Sequence, residues 1–368
     1  MAEKKCRWGI LGAATIAQKN WKAIHNSGNA VVTAVASRSP EKANAFIQAR
    51  QLECPFAERP VACSYDELLQ RNDVEAVYIP LPTGLRKEWV IKAADAGKHV
   101  MCEKPCAPSA ADLREMISAC ERNGVQFMDG VMYMHSDRMP AVRQTIDDGT
   151  SIGEMKRIHS QFSFRAPEEF IRENIRVSSA LEPQGCVGDL GWYTIRFSLW
   201  AMNYRMPIQV IGRKLSQYGR ADSPSDVPME FSGELLFDGG VSAGFYVSFL
   251  TEHQQWVNIS GSKGFLQVSD FVLPNYGSEV VFDVVRNVFA VDGCQFHMRN
   301  STQRIATEEY SDGQPNAQET KLFRTFSELA LGQTPDPHWP EISLKTQLVM
   351  DACLKSAELG GKPVSPDA

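Results

Sequence analysis

Short apolar runs recur through the first third of the chain: Trp8-Gly9-Ile10-Leu11, Val31-Val32-Thr33-Ala34-Val35-Ala36, Glu75-Ala76-Val77-Tyr78-Ile79-Pro80, His99-Val100-Met101-Cys102 and Val125-Gln126-Phe127-Met128. Each has strand length and β-branched or aromatic content. Between them lie stretches with helix start and stop signals. One helix is expected from about Arg86 to a stop at Gly97, and another from Ser109, whose hydroxyl can cap at Asp112, to Asn123-Gly124. Strands alternating with helices predict a doubly wound parallel sheet covered on both faces, a Rossmann α/β domain over residues 1–128.

Beyond about residue 150 the rhythm changes. Residues 155–164, 207–215, 230–237, 241–249, 255–260 and 264–268 read as extended segments, some joined by turns such as Asp238-Gly239-Gly240. They predict a large, mostly antiparallel sheet in an α+β domain over residues 129–368. Closing helices are expected at 320–331 and 343–359, with Gly360-Gly361 as the stop. Residues 298–319 are polar and read as a surface excursion.

A chain of 368 residues is long enough for two domains with cores of their own. Its net charge of −6 and lack of a basic run exclude nucleic acid as the main partner and favour small polar metabolites. No apolar run approaches the roughly 20 residues that span a bilayer. Met1-Ala2-Glu3-Lys4-Lys5 leads straight into the first strand, so no membrane partner and a cytoplasmic protein are expected. Nine cysteines without a C-x-x-C pair suit reduced thiols, and no His/Cys/Asp/Glu grouping has metal-ligand spacing.

The first strand ends in Gly12-Ala13-Ala14-Thr15-Ile16-Ala17, a small-residue turn that opens a helix. Gly12 permits a sharp turn, Ala14 lets the main chain approach a phosphate, and the helix N-terminus offers free N–H groups to a dinucleotide pyrophosphate. Ala14 stands where the fingerprint wants its second glycine. About 20 residues on, where a reader of the ribose 2′-hydroxyl carries Asp or Glu, this chain has Ser37-Arg38-Ser39 followed by Lys42. Hydroxyls and cations there fit the 2′-phosphate of NADP better than NAD. The same Ser39-Pro40 pair also reads as an ordinary N-cap, with Arg38 solvated.

Glu103-Lys104-Pro105 follows the fifth strand, which puts Lys104 at the carboxyl edge of the sheet, where open α/β folds bind ligands. Its ammonium can donate to a carbonyl or alcohol oxygen, and desolvation is expected to lower its pKa. The order of the glycine turn, Tyr78-Ile79-Pro80-Leu81-Pro82-Thr83, Glu88-Trp89, Ala96-Gly97-Lys98-His99-Val100 and Glu103-Lys104-Pro105 resembles the glucose–fructose oxidoreductase/inositol dehydrogenase (Gfo/Idh/MocA) family over nearly the whole chain. Gly185-Cys186-Val187-Gly188-Asp189-Leu190-Gly191-Trp192-Tyr193 is similar to that family's second signature, in which Asp and Tyr or His stand four apart. On an α-helix that spacing puts both on one face.

The resemblance implies Tyr193 as the proton donor or acceptor, Lys104 as its electrostatic partner and Asp189 as the orienting group. It implies Pro80, Leu81, Thr83 and Glu103, with Lys104, at the cofactor, and the catalytic three at the substrate; Arg176, ahead of the second signature, reads as a polar contact to sugar hydroxyls or to a cofactor phosphate. A tyrosine near pKa 10 needs a cation to work at neutral pH, so Lys104 is expected to pull Tyr193 down. Thr83 and Arg86 depart from the Asn and His common in the family, and Arg86 reads as an exposed helix residue. His135 reads as structural. The family's open sheet face implies a homodimer or homotetramer, with apolar alternation such as 241–249 at the interface. The expected activity is NADP-dependent hydride transfer to or from a sugar, polyol or cyclic diol. An NAD-assisted glycoside hydrolase or lyase, and a non-catalytic dinucleotide sensor, are the alternatives on the same fold.

Overall fold

The computed structural model describes residues 4–332 and 334–366; Met1–Glu3, part of the segment read as leading into the first strand, lie outside them. Six strands, β1 (Cys6–Leu11), β2 (Ala30–Ala36), β3 (Val61–Cys63), β4 (Ala76–Ile79), β5 (His99–Cys102) and β6 (Phe127–Asp129), form one sheet. They alternate with α1 (Thr15–Asn26), α2 (Pro40–Glu53), α3 (Tyr65–Gln70), α4 (Thr83–Asp95) and α5 (Ala110–Arg122). All pairs are parallel, in the order β3-β2-β1-β4-β5-β6. The order reverses between β1 and β4, the switch point at whose carboxyl-end side open α/β sheets bind their ligands. Ser39, Ser64 and Ser109 cap α2, α3 and α5 with their side chains, as their positions before apolar helices suggest. Helix α1 has no such cap.

The second half of the chain supplies α6 (Arg138–Asp147), β7 (Met155–Ser163), α7 (Glu168–Glu173), α8 (Trp192–Ala201), β8 (Gln209–Tyr218), β9 (Val227–Leu236), β10 (Ser242–Ser248), β11 (Gln254–Gly261), β12 (Phe265–Val268), β13 (Glu279–Asp292) and β14 (Gln295–Glu308). It closes with α9 (Gln318–Leu331) and α10 (His338–Glu358). The eight strands pair antiparallel except β7 with β10, in the order β14-β13-β12-β11-β7-β10-β9-β8. Val210, Phe231, Leu235, Ala243, Phe245 and Val247 are buried between this sheet and the helices.

Three expectations change. Residues 298–319 are not a loop throughout: β14 pairs with β13 along fourteen residues as a long ribbon whose outer half is exposed on both faces, so no apolar alternation marks it. The apolar residues of 241–249 point inward, and the outer face of β7, β10 and β11 carries Arg157, His159, Tyr246 and Trp256 instead. Helix α10 begins at His338, five residues before the expected start, because Pro340 is tolerated in a first turn.

The halves interlock. From near the end of the chain α9 packs on the first sheet, with Phe323 and Phe326 5.2 and 5.1 Å from the Trp8 ring and Ser327 accepting from Trp8 Nε1 at 3.0 Å. At the tip of β6, buried Asp129 accepts from Arg196 Nη2 (2.5 Å) and Trp192 Nε1 (3.0 Å) of α8, and Arg196 Nε donates to Thr346 of α10. A charge pair withdrawn from water this completely holds only because its polar atoms are so fully engaged.

Candidate active site

The turn after β1 has the geometry its residues suggested. Gly12 adopts φ +131°, a conformation hostile to any Cβ, and a side chain there would press on Leu81 at 3.1 Å. Its amide is held by Ala36 O (3.0 Å) and its carbonyl by Ala14 N (2.8 Å). Ala14 is the N-cap of α1 but its methyl accepts nothing; its carbonyl takes the Ala17 amide at 3.1 Å, and the amides of exposed Thr15 and Ile16 stay available. These residues fit a pyrophosphate. At the end of β2, Ser37 is buried while Arg38 and Lys42 are exposed, and the Lys42 amide donates to Ser39 Oγ. The same Oγ donates to Glu41 at 2.7 Å, a carboxylate the sequence reading overlooked.

Lys104 lies at the carboxyl edge of β5, and its ammonium reaches 85 residues along the chain to donate to both Asp189 Oδ1 and Asp189 O at 2.8 Å. Arg176 Nε takes the other carboxylate oxygen, Oδ2, at 2.8 Å. Asp189 sits not in an α-helix but in a π-helical turn, Val187–Gly191, that runs into α8. Such wide turns recur at functional sites. Glycine eases the approach here: a Cβ at Gly188 would lie 2.9 Å from Gln184 Cβ and 3.0 Å from Pro105 Cγ, crowding the place where the two signatures meet. Lys104 Nζ lies over the Tyr193 ring, 4.7 Å from its centroid, and among the described residues the Tyr193 hydroxyl donates to the Met132 thioether at 3.9 Å. A thioether is a weak acceptor, which leaves that hydroxyl able to bond a ligand oxygen.

The electrostatics differ from expectation. Burial works against the Lys104 ammonium, but Asp189 and Tyr193 outweigh it and raise its pKa rather than lower it. Burial likewise opposes the Asp189 carboxylate, yet Arg176 and Lys104 hold it well below the usual range. Asp189 in turn raises Arg176. Tyr193 is pushed up to about 12 by burial, which exceeds the opposite pull of Lys104. The cluster is therefore an ammonium, a carboxylate, a guanidinium and a neutral phenol across the neutral range.

Around it, Glu103 accepts from Tyr78 OH (2.6 Å), itself bonded by Asn20 (2.7 Å), and from the Lys104 amide (3.2 Å). Thr83 is wholly buried, with its amide and hydroxyl both donated to Glu182, so those groups do not make the expected cofactor contact. Arg86 is not an exposed helix residue: it is buried and donates to the carbonyls of Leu81 (2.6 Å), Glu103 (2.9 Å) and Pro105. His135 stacks on Trp339 at 4.9 Å, and burial pushes its pKa down to about 3, as suits a structural residue. Asn20, Tyr78, Met132 and Glu182 were missed. Only Tyr78 carried a signal, a polar aromatic inside an otherwise apolar strand.

Residues 6–131 match the oxidoreductase family with an NAD-binding Rossmann fold, and residues 139–267 match the GFO/IDH/MocA C-terminal domain. The chain is 30% identical to D-xylose 1-dehydrogenase (NADP(+)) 2 of Haloferax volcanii over 96% of its own length and 98% of that enzyme's. It is 28% identical to trans-1,2-dihydrobenzene-1,2-diol dehydrogenase of Mus musculus, over 77% of this chain and 79% of that one. Its fold resembles the 3-ketoreductase KijD10 of Actinomadura kijaniata in complex with NADP and TDP-benzene, with a TM-score of 0.77 and 22% identity, covering 96% of this chain and 98% of the other. Among the described residues no helix is long and apolar enough to cross a membrane.

Proposed function

The chain belongs to the Gfo/Idh/MocA oxidoreductase family, and from that premise we propose that it moves hydride between NADP(H) and an alcohol or carbonyl carbon of a sugar, polyol or cyclic diol. The observation that carries this reading is the junction of Lys104, Asp189 and Tyr193 from two distant signatures at the carboxyl edge of a dinucleotide-binding sheet. The names of the xylose and dihydrodiol dehydrogenases support the substrate class.

The cofactor, when bound, supplies or accepts the hydride. Gly12, Ala13, Ala14, Thr15 and Ile16 would hold its pyrophosphate, Ser37, Arg38 and Lys42 its 2′-phosphate, and Pro80, Leu81, Glu103 and Lys104 the segment nearer the chemistry. Tyr193 is the proton donor to a reacting carbonyl oxygen and, in reverse, takes the proton from the alcohol. Lys104 stabilises negative charge developing on the phenol and on the substrate oxygen. Asp189 fixes the ammonium, and Arg176 fixes Asp189 while presenting a partly exposed guanidinium to substrate hydroxyls.

A neutral phenol near pH 7 is in the protonation state that carbonyl reduction needs, since the proton to be delivered is already in place. We assign the protein to a reducing compartment, the cytoplasm, on its nine free cysteines, and expect it to assemble as a homodimer or homotetramer.

The test is a spectroscopic screen of sugars, polyols and dihydrodiols with NADP+ and NAD+, and of the matching carbonyl compounds with NADPH. Substrate-dependent change at the reduced-nicotinamide band is the expected result. Release of a leaving group with tightly held cofactor and no net change at that band would replace the proposal with a redox-assisted lyase.

A further inference from the structure

Resting on the reading of Lys104, Asp189 and Tyr193 as the catalytic unit, we propose that Glu182 is a positioning residue that sets the Lys104–Asp189 spacing by capping helix α4 from the opposite half of the chain. Helix α4 begins at Thr83 with Pro82 as its N-cap, and proline has no side-chain acceptor for first-turn amides. The acceptors come from 99 residues away: Glu182 Oε1 takes the Thr83 amide at 3.1 Å and Oε2 takes the Thr83 hydroxyl at 2.5 Å. The Gly84 amide donates to Leu181 O at 2.9 Å. A carboxylate placed on helix N–H groups also meets the positive end of the helix dipole. Any side chain at Gly84 would collide with Ala180 O, so the sequence keeps glycine at the point of closest approach.

The same helix end governs the first signature. Arg86, one turn into α4, bonds the carbonyls of Glu103 and Pro105 on either side of Lys104, and Thr83 Oγ1 also reaches Pro105 O at 3.4 Å. Two residues beyond Glu182, Gln184 Nε2 donates to Ala107 O (3.0 Å) and Pro108 O (2.8 Å). Asp189 follows five residues later. One helix terminus thus grips the loop of Lys104 through Arg86 and the approach to Asp189 through Glu182, so the ammonium and carboxylate meet because both are referred to the same point. Thr83 and Arg86, the two departures from the family pattern, acquire a shared role in this frame. Glu182 additionally bears on Arg176, whose charged form its carboxylate favours.

The test compares Glu182→Gln and Thr83→Val with the conservative Thr83→Ser. In the apoprotein, the pH dependence of Lys104 acylation by an amine reagent, read by peptide mass spectrometry, reports how firmly Asp189 holds the ammonium. Glu182→Gln and Thr83→Val should make Lys104 react at lower pH and lower kcat by about ten- to a hundredfold, with NADPH binding by fluorescence titration changed less than about twofold. Thr83→Ser should behave as the parent protein. A Glu182→Gln protein with parental Lys104 titration and parental kcat overturns the proposal, as does a loss of kcat matched by an equal loss of NADPH binding and melting temperature in both variants. Because the titration needs no substrate, failure of the functional reading, seen as full turnover in Lys104→Ala, is distinguishable from failure of the positioning role.

Discussion

The ammonium of Lys104 lies over the face of the Tyr193 ring, 4.7 Å from its centroid, while its hydrogen bonds go to Asp189. The cation therefore acts on the phenol by its charge and by a weak hydrogen-bonding contact, and the hydroxyl, which donates only to a thioether among the described residues, can still take a substrate oxygen. Tyr193→Phe keeps the ring and removes only the hydroxyl, so it should lower kcat by about 10²-fold or more with little change in NADPH affinity. Lys104→Ala should lower kcat likewise, with a much smaller loss of NADPH affinity. Steady-state kinetics of the double variant should show little further loss beyond the worse single one, the signature of groups acting as a unit.

The pH profiles of the two directions should differ in sign. Carbonyl reduction needs Tyr193 protonated, and with its pKa pushed up to about 12 the donor persists through neutral and mildly alkaline pH and is lost only as pH rises towards that value. Alcohol oxidation needs the phenolate, so its kcat should climb with pH over the same alkaline range. A reduction rate that collapses between pH 7 and 9, measured at saturating cofactor, would show that another group is the donor.

Cofactor choice should depend on the exposed cations after β2. Fluorescence titration should give tighter binding of NADPH than NADH, and Arg38→Ala should remove most of the difference, about tenfold for one charge-assisted bond. Equal affinities in the parent protein would instead assign Arg38 and Lys42 to the solvated surface, with Glu41 near enough to cancel part of their field.

Removing one partner of the Asp129–Arg196 pair should be costly, since both side chains are shut off from solvent. Asp129→Ala leaves a buried guanidinium without its carboxylate and the Trp192 N–H without its acceptor. The expected loss is about 3–5 kcal/mol of stability, read from denaturant or thermal unfolding. A melting curve like the parent's would mean that water reaches Arg196.

Much of this was legible in the chain. The turn at Gly12 declared itself by small residues after an apolar strand, and Lys104 by its place at a strand's end. Asp189 and Tyr193 both reach Lys104, as their spacing suggested they would share a face, although a π-helical turn rather than an α-helical one joins them. Thr83 and Arg86 could not be placed, because whether a loop threonine is buried depends on Glu182, whose partner in space no local pattern names. The direction of the Lys104 and Tyr193 shifts was missed for a related reason: it is the residue of large opposing effects, burial against charge, and residue types alone do not weigh them. The β13–β14 ribbon was missed because two wet faces erase the alternation that reveals a strand.

Helix α9 gives the protein a problem of timing. Trp8 and Tyr78, both wholly enclosed in the finished fold, lean on Phe323, which is translated more than 200 residues after β4. At the usual pace of synthesis that interval lasts about 10–50 s. Throughout it the nascent nucleotide-binding sheet has α1 and α2 to cover only part of the face that bears Trp8 and Tyr78, so newly made chains should engage chaperones until residue Leu331 has emerged, and fragments ending before α9 should aggregate more readily than the full chain.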